Sequence, residues 1–444
     1  MRGAVAAGHP LTQAAGSRIL EAGGSAVDAC VAAALVSWVV ESPLTGPGGG
    51  GFLLVHAEGR TVVLDCFVAL PARGAGGREQ LLALAVDFDG DTQQVFRTGP
   101  AAVAVPGSAL GLAEAHARWG RLPWASLFED AVAVARGGFV LSEAQGYLHE
   151  ILAPLLRHSP EGDAMYGSAR AGDRLAFPEL AATLEVLAVD GVDELYRGSL
   201  ARAICAHVPL TPEDLASYAV VEREPLSVRF RGHEVRTNPP PSSGGRLLAV
   251  GLGALAGGAS VVEAMRAMEA ERSAAVGGTT HISVVDGDGC VAALSASLGS
   301  GSGVVVPGTG IHLNNMLGEA DLAGVDAGPG ERLTSMMAPT LVLRGGSPRL
   351  VVGSAGSNRL RGAILQVVEN VVGRGLPVRE AVDAPRVHWE AGQTHCEPGA
   401  AGCEGEDVVR WRGRNLFFGG VAAVELRDDG SLAAAGDPRR GGAP

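Results

Sequence analysis

Three times along the chain a short apolar stretch runs into a few turn residues and out into a second apolar stretch. The text is "FLLVHAEGRTVVLD", "THISVVDGDGCVAALSAS" and "LVLRGGSPRLVVGS", with further strand-like text at "LSVRFRGHEVRTN". Runs rich in β-branched residues joined by Gly, Asp or Ser turns are antiparallel hairpins. Between them lie blocks with helical spacing. "HPLTQAAGSRILEAGGSAVDACVAAALVSWVVE" reads as two helices parted at Gly23-Gly24, the second apolar on more than one face and so buried. A helical middle runs from roughly Val105 to Val220. Within it Thr211 caps a helix with Pro212 at its first position and Glu213 and Asp214 in its first turn. A last helix spans about Leu360 to Val372, and the stretch after "VELRDDG" loses its period and reads as a frayed tail. Hairpin blocks set between helical blocks imply stacked antiparallel sheets covered by helices on both outer faces.

Composition narrows the rest. Aromatics make up only 4% of the 444 residues while glycines number 65, so the core is built from Ala, Val and Leu in closely packed layers. A formal net charge of −13 argues against nucleic acid and anionic membrane as partners. All 35 basic residues are Arg; without a lysine there is no Schiff-base chemistry, pyridoxal anchor or phosphate-loop G-K-[ST]. The longest apolar run, Ala29 to Val40, is far shorter than the roughly 20 residues that span a bilayer. The six cysteines form no C-x-x-C pair and read as reduced, buried residues, and "RGAVAAGHPLT" after Met1 lacks the apolar core of a secretion signal. The expectation is a cytoplasmic protein.

Several motifs invite chemistry. Gly46 to Gly51, "GPGGGG", satisfies the dinucleotide fingerprint G-x-G-x-x-G, but that motif needs a strand before it and a helix after it. Here the order is inverted, which favours a closely packed backbone turn and no cofactor. His388, Glu390, His395, Cys396 and Cys403 have no zinc-like spacing, so no metal is expected. Ser242-Ser243 lacks the G-x-S-x-G elbow and is read as capping a helix or satisfying a turn. Thr279, in "AVGGTTHISV", is different. A threonine hydroxyl becomes a nucleophile when its own free α-amine serves as base, and such an amine titrates near ~7.7–8. Gly277-Gly278 permits a strained backbone before it and a strand fixes it after. By pattern alone, though, Thr-Thr at a strand head is also plain β-propensity.

Longer stretches bear on that choice. "AAGHPLTQAAGSRILEAGGSAVDACVAAALVSWVVESPLTGPGGGGFLLV", "AVPGSALGLAEAHARWGRLPW", "LTPEDLASYAVVEREPLSVRFRGHEV", "PPPSSGG", "TTHISVVDGDG", "SGVVVPGTGIHLNN" and "MMAPTLVL…VVGSAGSNRL" together resemble the γ-glutamyltransferase (γ-glutamyltranspeptidase) family over nearly the whole chain. The resemblance implies an α+β, four-layer αββα sandwich of the N-terminal-nucleophile hydrolases, made as a precursor that cuts itself. Carried onto this sequence, the cleavage site is Gly278–Thr279, giving a large subunit of residues 1–278 and a small one of residues 279–444 that stay together as a heterodimer. It further implies Thr279 as nucleophile supported by Ser297, an oxyanion hole at Gly356 and Ser357, substrate contacts at Thr334 and Ser335, and Glu319 on the donor's α-ammonium. The implied activity is cleavage of γ-glutamyl amides such as glutathione through an acyl-enzyme, released by water or an amino-acid acceptor.

The departures lie in substrate recognition. Phe67, in "LDCFVALP", stands where the family carries an arginine for the donor carboxylate. Met316 replaces a polar residue, Gly299 stands where an asparagine is usual, and Arg246 to Gly278 looks shortened. The same threonine chemistry on a non-glutamyl acyl group, including amide or C–C cleavage in natural-product (antibiotic) biosynthesis, is therefore the alternative. A self-cleaving but catalytically silent binding protein is a third reading.

Overall fold

The computed structural model describes residues 3–72, 80–88, 92–271, 279–318 and 328–442. Twelve strands, numbered in chain order, form two six-stranded sheets: β1 (Gly3–Ala7), β2 (Gly50–Ala57), β3 (Arg60–Cys66), β4 (Val221–Arg223), β5 (Leu226–Phe230), β6 (His233–Thr237), β7 (Thr280–Asp286), β8 (Val291–Ser297), β9 (Thr340–Arg344), β10 (Ser347–Ala355), β11 (Gly420–Leu426) and β12 (Leu432–Gly436). The first sheet runs β1-β7-β8-β2-β3-β4 and the second β12-β11-β10-β9-β6-β5, with every neighbouring pair antiparallel. β7 packs face to face on β10 and β11.

Side-chain alternation explains the layering. On β2, Leu53 and Val55 join the core beneath the helix Ala26–Val40, while Phe52 and Leu54 join the core shared with the second sheet. The helices Leu360–Val368 and Val378–Asp383 cover the far face of that second sheet. The result is helix, sheet, sheet, helix, the α+β sandwich expected. One detail differs from the alternating strands read in the text: all seven residues of β7 and all seven of β8 are buried, because both faces of the first sheet are covered.

Local signals place the elements. All fifteen residues of Ala26–Val40 are buried, and its start is fixed by a capping box between Ser25 and Asp28. Thr211 and Asp214 form the same box on the short helix Pro212–Ala216. The β2–β3 hairpin turns on Glu58 and Gly59, both at positive φ, as a type I′ turn requires.

Two expectations are corrected. The C-terminal stretch is not frayed: β12 pairs with β11 along its length, and Asp437 and Arg439 beyond it are buried. Small residues in "SLAAAG" hide the strand, since Ala and Gly carry little β signal. Nor are all six cysteines reduced: Cys396 and Cys403 form a disulfide with Cα atoms 6.1 Å apart. Their seven-residue separation matches no redox or zinc motif; the strand 393–396 that ends at Cys396 pairs with 387–390 and with 408–410, and the chain between 396 and 408 passes back to it at Cys403. Among the described residues no helix is long and apolar enough to cross a membrane, and no group of three or more His, Cys, Asp or Glu could hold a metal ion.

Candidate active site

Thr279 immediately precedes β7 and is buried. The register of β7 on β8 sets Thr280 against Ala296, and one further step puts Thr279 opposite Ser297. The approach of β2 depends on the glycine run: a Cβ on Gly49 would lie 2.4 Å from the Ser297 carbonyl oxygen, and one on Gly51 equally close to that of Ser295. "GPGGGG" is thus a close backbone contact, which lets the Ser297 end of β8 pack in the sheet.

Thr279, Ser297, Ser335 and Ser357 meet in one pocket, whose other walls are Phe67, Met316, Met336, Met337 and Leu360. The space open to the centre of a water molecule is about 10 Å³, enough for about one water. Four hydroxyls in an otherwise apolar wall define the site. Among the described residues, none of the side chains lining it is ionisable at neutral pH.

Each wall is fixed from behind. The Phe67 ring stacks on Phe52 at 5.4 Å between centroids. Its N–H donates to Asp65 and its carbonyl accepts from the Tyr218 hydroxyl at 2.6 Å. Asp65 in turn is held by Arg223 and Arg332. The Ser335 carbonyl accepts from the hydroxyls of Ser242 and Ser243, and its own hydroxyl accepts from Met337 N–H. Those two serines therefore buttress the pocket loop, as the turn reading expected. Thr334 does not line the pocket; its hydroxyl donates to the Pro241 carbonyl.

Gly356 and Ser357 follow β10 in the turn before Leu360–Val368. Gly356 has φ +126° and a Cβ there would meet Gly419 Cα at 2.7 Å, so only glycine fits. Ser357 has φ +54°, a left-handed conformation that costs a non-glycine residue about 1 kcal/mol or more. Its buried hydroxyl has no hydrogen-bond partner among the described residues. Strain and an unused hydroxyl beside a threonine are marks of a functional turn. Glu319 and Gly278 lie outside the described residues.

Two charged residues beside Thr279 escaped the sequence reading. Glu41 accepts from the Thr280 hydroxyl at 2.8 Å, and Arg440 reaches the Thr279 carbonyl oxygen at 3.5 Å. Burial pushes the Glu41 carboxyl up, eased by the Thr280 hydroxyl, Arg440 and Thr12. Burial pulls Arg440 down to about 10, still charged at neutral pH, with Arg359 acting the same way and Glu41 and Asp437 opposing. Their signals were an acid directly after a wholly buried helix, and "DPR", where Asp437 caps a short turn opened by Pro438. The metal candidates are otherwise engaged: His388 lies 3.4 Å from Glu390, and His395 accepts from the Trp411 indole.

A hydroxyl residue at the head of an inner strand, in two face-to-face sheets between helical layers, defines the class of N-terminal-nucleophile hydrolases. The sequence model of the Gamma-glutamyltranspeptidase family matches residues 12–277 and 254–444, and the chain belongs to that family. It is 31% identical to the glutathione hydrolase proenzyme of Pseudomonas aeruginosa, over 98% of this chain and 93% of the relative. It is 30% identical to the acylase ACY 1 proenzyme of Pseudomonas sp. (strain SE83), over 100% and 93%. Among solved structures, cephalosporin acylase from Bacillus halodurans superposes with a TM-score of 0.85 at 26% identity, covering 100% of this chain and 95% of that one. The protein is thus an enzyme, a hydrolase or transferase of this family. Its proenzyme relatives imply processing into two subunits.

Proposed function

We propose that the protein is a self-processing threonine amidase whose acyl donor is less polar than a γ-glutamyl group. Thr279 is the nucleophile and the cut falls between Gly278 and Thr279, leaving subunits 1–278 and 279–444. The observation that carries the choice of acyl group is the wall around Thr279: Phe67, Met316, Met336, Met337 and Leu360, with no cation among the described lining residues. A donor carboxylate brought there would lose its hydration without a charged partner, at a cost of several kcal/mol.

In this reading the Thr279 hydroxyl attacks the amide carbonyl of the donor while its α-amine takes the proton. Backbone N–H groups at Gly356 and Ser357 stabilise the oxyanion of the tetrahedral intermediate. Collapse breaks the C–N bond, the leaving amine takes the proton, and an acyl ester on Thr279 remains. Water or an amine acceptor then attacks that ester and regenerates the hydroxyl. Ser297, opposite Thr279 in the sheet, supports the hydroxyl.

A γ-glutamyl donor is the second reading. The similarity to the Pseudomonas aeruginosa glutathione hydrolase proenzyme favours it, and Glu319 would then hold the α-ammonium. Rates on γ-glutamyl and fatty-acyl anilides separate the two. Preference for the fatty-acyl anilide is expected, and a strong glutamyl preference would overturn the first reading. A role in natural-product biosynthesis belongs to the first reading and stands or falls with it. As to location, cytoplasmic residence would keep Cys396 and Cys403 reduced; counting thiols on protein trapped with an alkylating agent decides that point.

A further inference from the structure

Behind Thr279, on the side away from the pocket, the first sheet runs out of neighbours. β1 pairs with β7 as far as Ala7 against Ile282. Two more steps in that register would set Thr280 against His9, and a third would set Thr279 against Pro10. There the chain has already turned into the helix Pro10–Glu21 with His9 as its cap, and proline has no N–H to offer a strand. Side chains stand in for the absent strand. The Thr280 hydroxyl donates to Glu41 Oε1, whose Oε2 accepts from Thr12. Arg440 Nη1 takes the Thr279 carbonyl oxygen.

The guanidinium has a made-to-measure path. A Cβ on Gly420 would meet Arg440 Cδ at 2.4 Å, and one on Gly356 would lie 3.5 Å from Arg440 Nη2. One half-buried cation therefore runs from the Thr279 carbonyl to the turn that carries Gly356 and Ser357. Arg440 Nε is buried without a partner among the described residues. Arg440 and Glu41 also border a cavity of mixed lining with His9, Gln145, His149, Leu44 and Leu148.

We propose that Arg440 and Glu41 are a positioning pair for the nucleophile, gripping the Thr279–Thr280 peptide from behind in place of the missing strand. This rests on the reading of Thr279 as the N-terminal nucleophile. The need for such a grip is physical: once the chain is cut before Thr279, that residue becomes a chain end, and chain ends fray unless tied down. The α-nitrogen is two bonds from the carbonyl carbon that Arg440 holds, so fixing one orients the other.

Arg440 also sets the field at the α-amine. His9 and His149 are held by burial near 4 and are neutral at pH 7. Arg440 is the cation at the Thr279 carbonyl, with Glu41, Arg359 and Asp437 acting on it, while Arg439 beside it is paired with Glu397 and Asp437 and burial pushes the Glu41 carboxyl up. Removing the Arg440 guanidinium removes a positive charge that disfavours the ammonium.

The test uses Arg440→Gln, Arg440→Lys, Glu41→Gln and Thr279→Ala, each checked by intact mass and thermal melting. Arg440→Gln is expected to lower kcat about 100-fold with KM within about twofold, and to move the acid limb of the kcat profile up by about one pH unit. Arg440→Lys recovers most of kcat, and Glu41→Gln, which keeps an acceptor for the Thr280 hydroxyl, lowers kcat less than Arg440→Gln does. A folded but uncut Arg440→Gln precursor also supports the pair, because the same hydroxyl makes the cut. Equal losses in the Gln and Lys variants with an unmoved limb, or no loss in either, overturn the proposal. An active Thr279→Ala enzyme instead overturns the nucleophile reading beneath it.

Discussion

The two sides of Thr279 differ in what lines them. In front is a tight wall of Phe67, three methionines and Leu360, with hydroxyls as the only polar side-chain groups among the described lining residues. Behind is a cavity where His9, Glu41, Gln145, His149, Arg439 and Arg440 share the lining with Val40, Leu44, Leu148 and Leu416. A substrate-facing wall without charge selects by shape and apolar area. A buried charged rear fixes geometry, because charges taken out of water are tolerated only when paired and hydrogen-bonded. In the proposed reading, specificity and positioning are separated onto opposite faces of one residue.

The largest expected effect removes the residue on which both sides converge. Thr279→Ala lowers turnover by a factor on the order of 10⁴ or more and leaves a single uncut chain, read by rate assay and denaturing gel. If turnover survives, the two faces have no common centre.

Next comes the rear support. Arg386, Arg439, Asp437 and Glu397 form a buried network, with Arg386 2.6 Å from Asp437 and Arg439 bonded to both acids. Burial alone would raise the Asp437 carboxyl, but the charges of Arg386 and Arg439 outweigh it and hold it below the usual range. A depressed carboxylate contributes stability above the unfolded value of about 3.9, and that contribution is lost as pH falls through the folded value. Asp437→Asn should therefore cost about 3–5 kcal/mol at pH 7, with the gap between variant and parent narrowing below about pH 4. Urea denaturation at the two pH values checks it; an unchanged gap would mean that Asp437 carries no such charge coupling.

A third variant probes the front turn. Gly356→Ala adds a Cβ at φ +126° against Gly419, tilting the N–H groups assigned to the oxyanion. A loss in kcat of about 10²–10³ is expected, with KM little changed. The smallest effect sharpens specificity: Met316→Ala opens the front wall and should raise kcat/KM for longer acyl anilides about tenfold relative to short ones. Arg440→Lys, acting from the rear, should leave that ratio alone.

Much of this was legible in the residues. The hairpins, the Thr211–Asp214 cap, the buried helix Ala26–Val40 and the two-sheet layering follow from spacing and turn chemistry, which are local. The gathering of Thr279, Ser297, Ser335 and Ser357 follows the resemblance to the family. What local text could not convey is contact at a distance. Arg440 lies 161 residues from the carbonyl it holds, in a tail whose small residues mask a strand. Glu41 ends an apolar helix and only the fold shows that it faces Thr280. The Cys396–Cys403 bond depends on a small local sheet rather than on a motif.

The account turns on whether the chain is cut before Thr279. Intact mass of the purified protein combined with N-terminal sequencing tests that directly. The expected result is two chains, one ending at Gly278 and one beginning Thr-Thr-His; a single chain of 45.0 kDa that stays whole on incubation contradicts it.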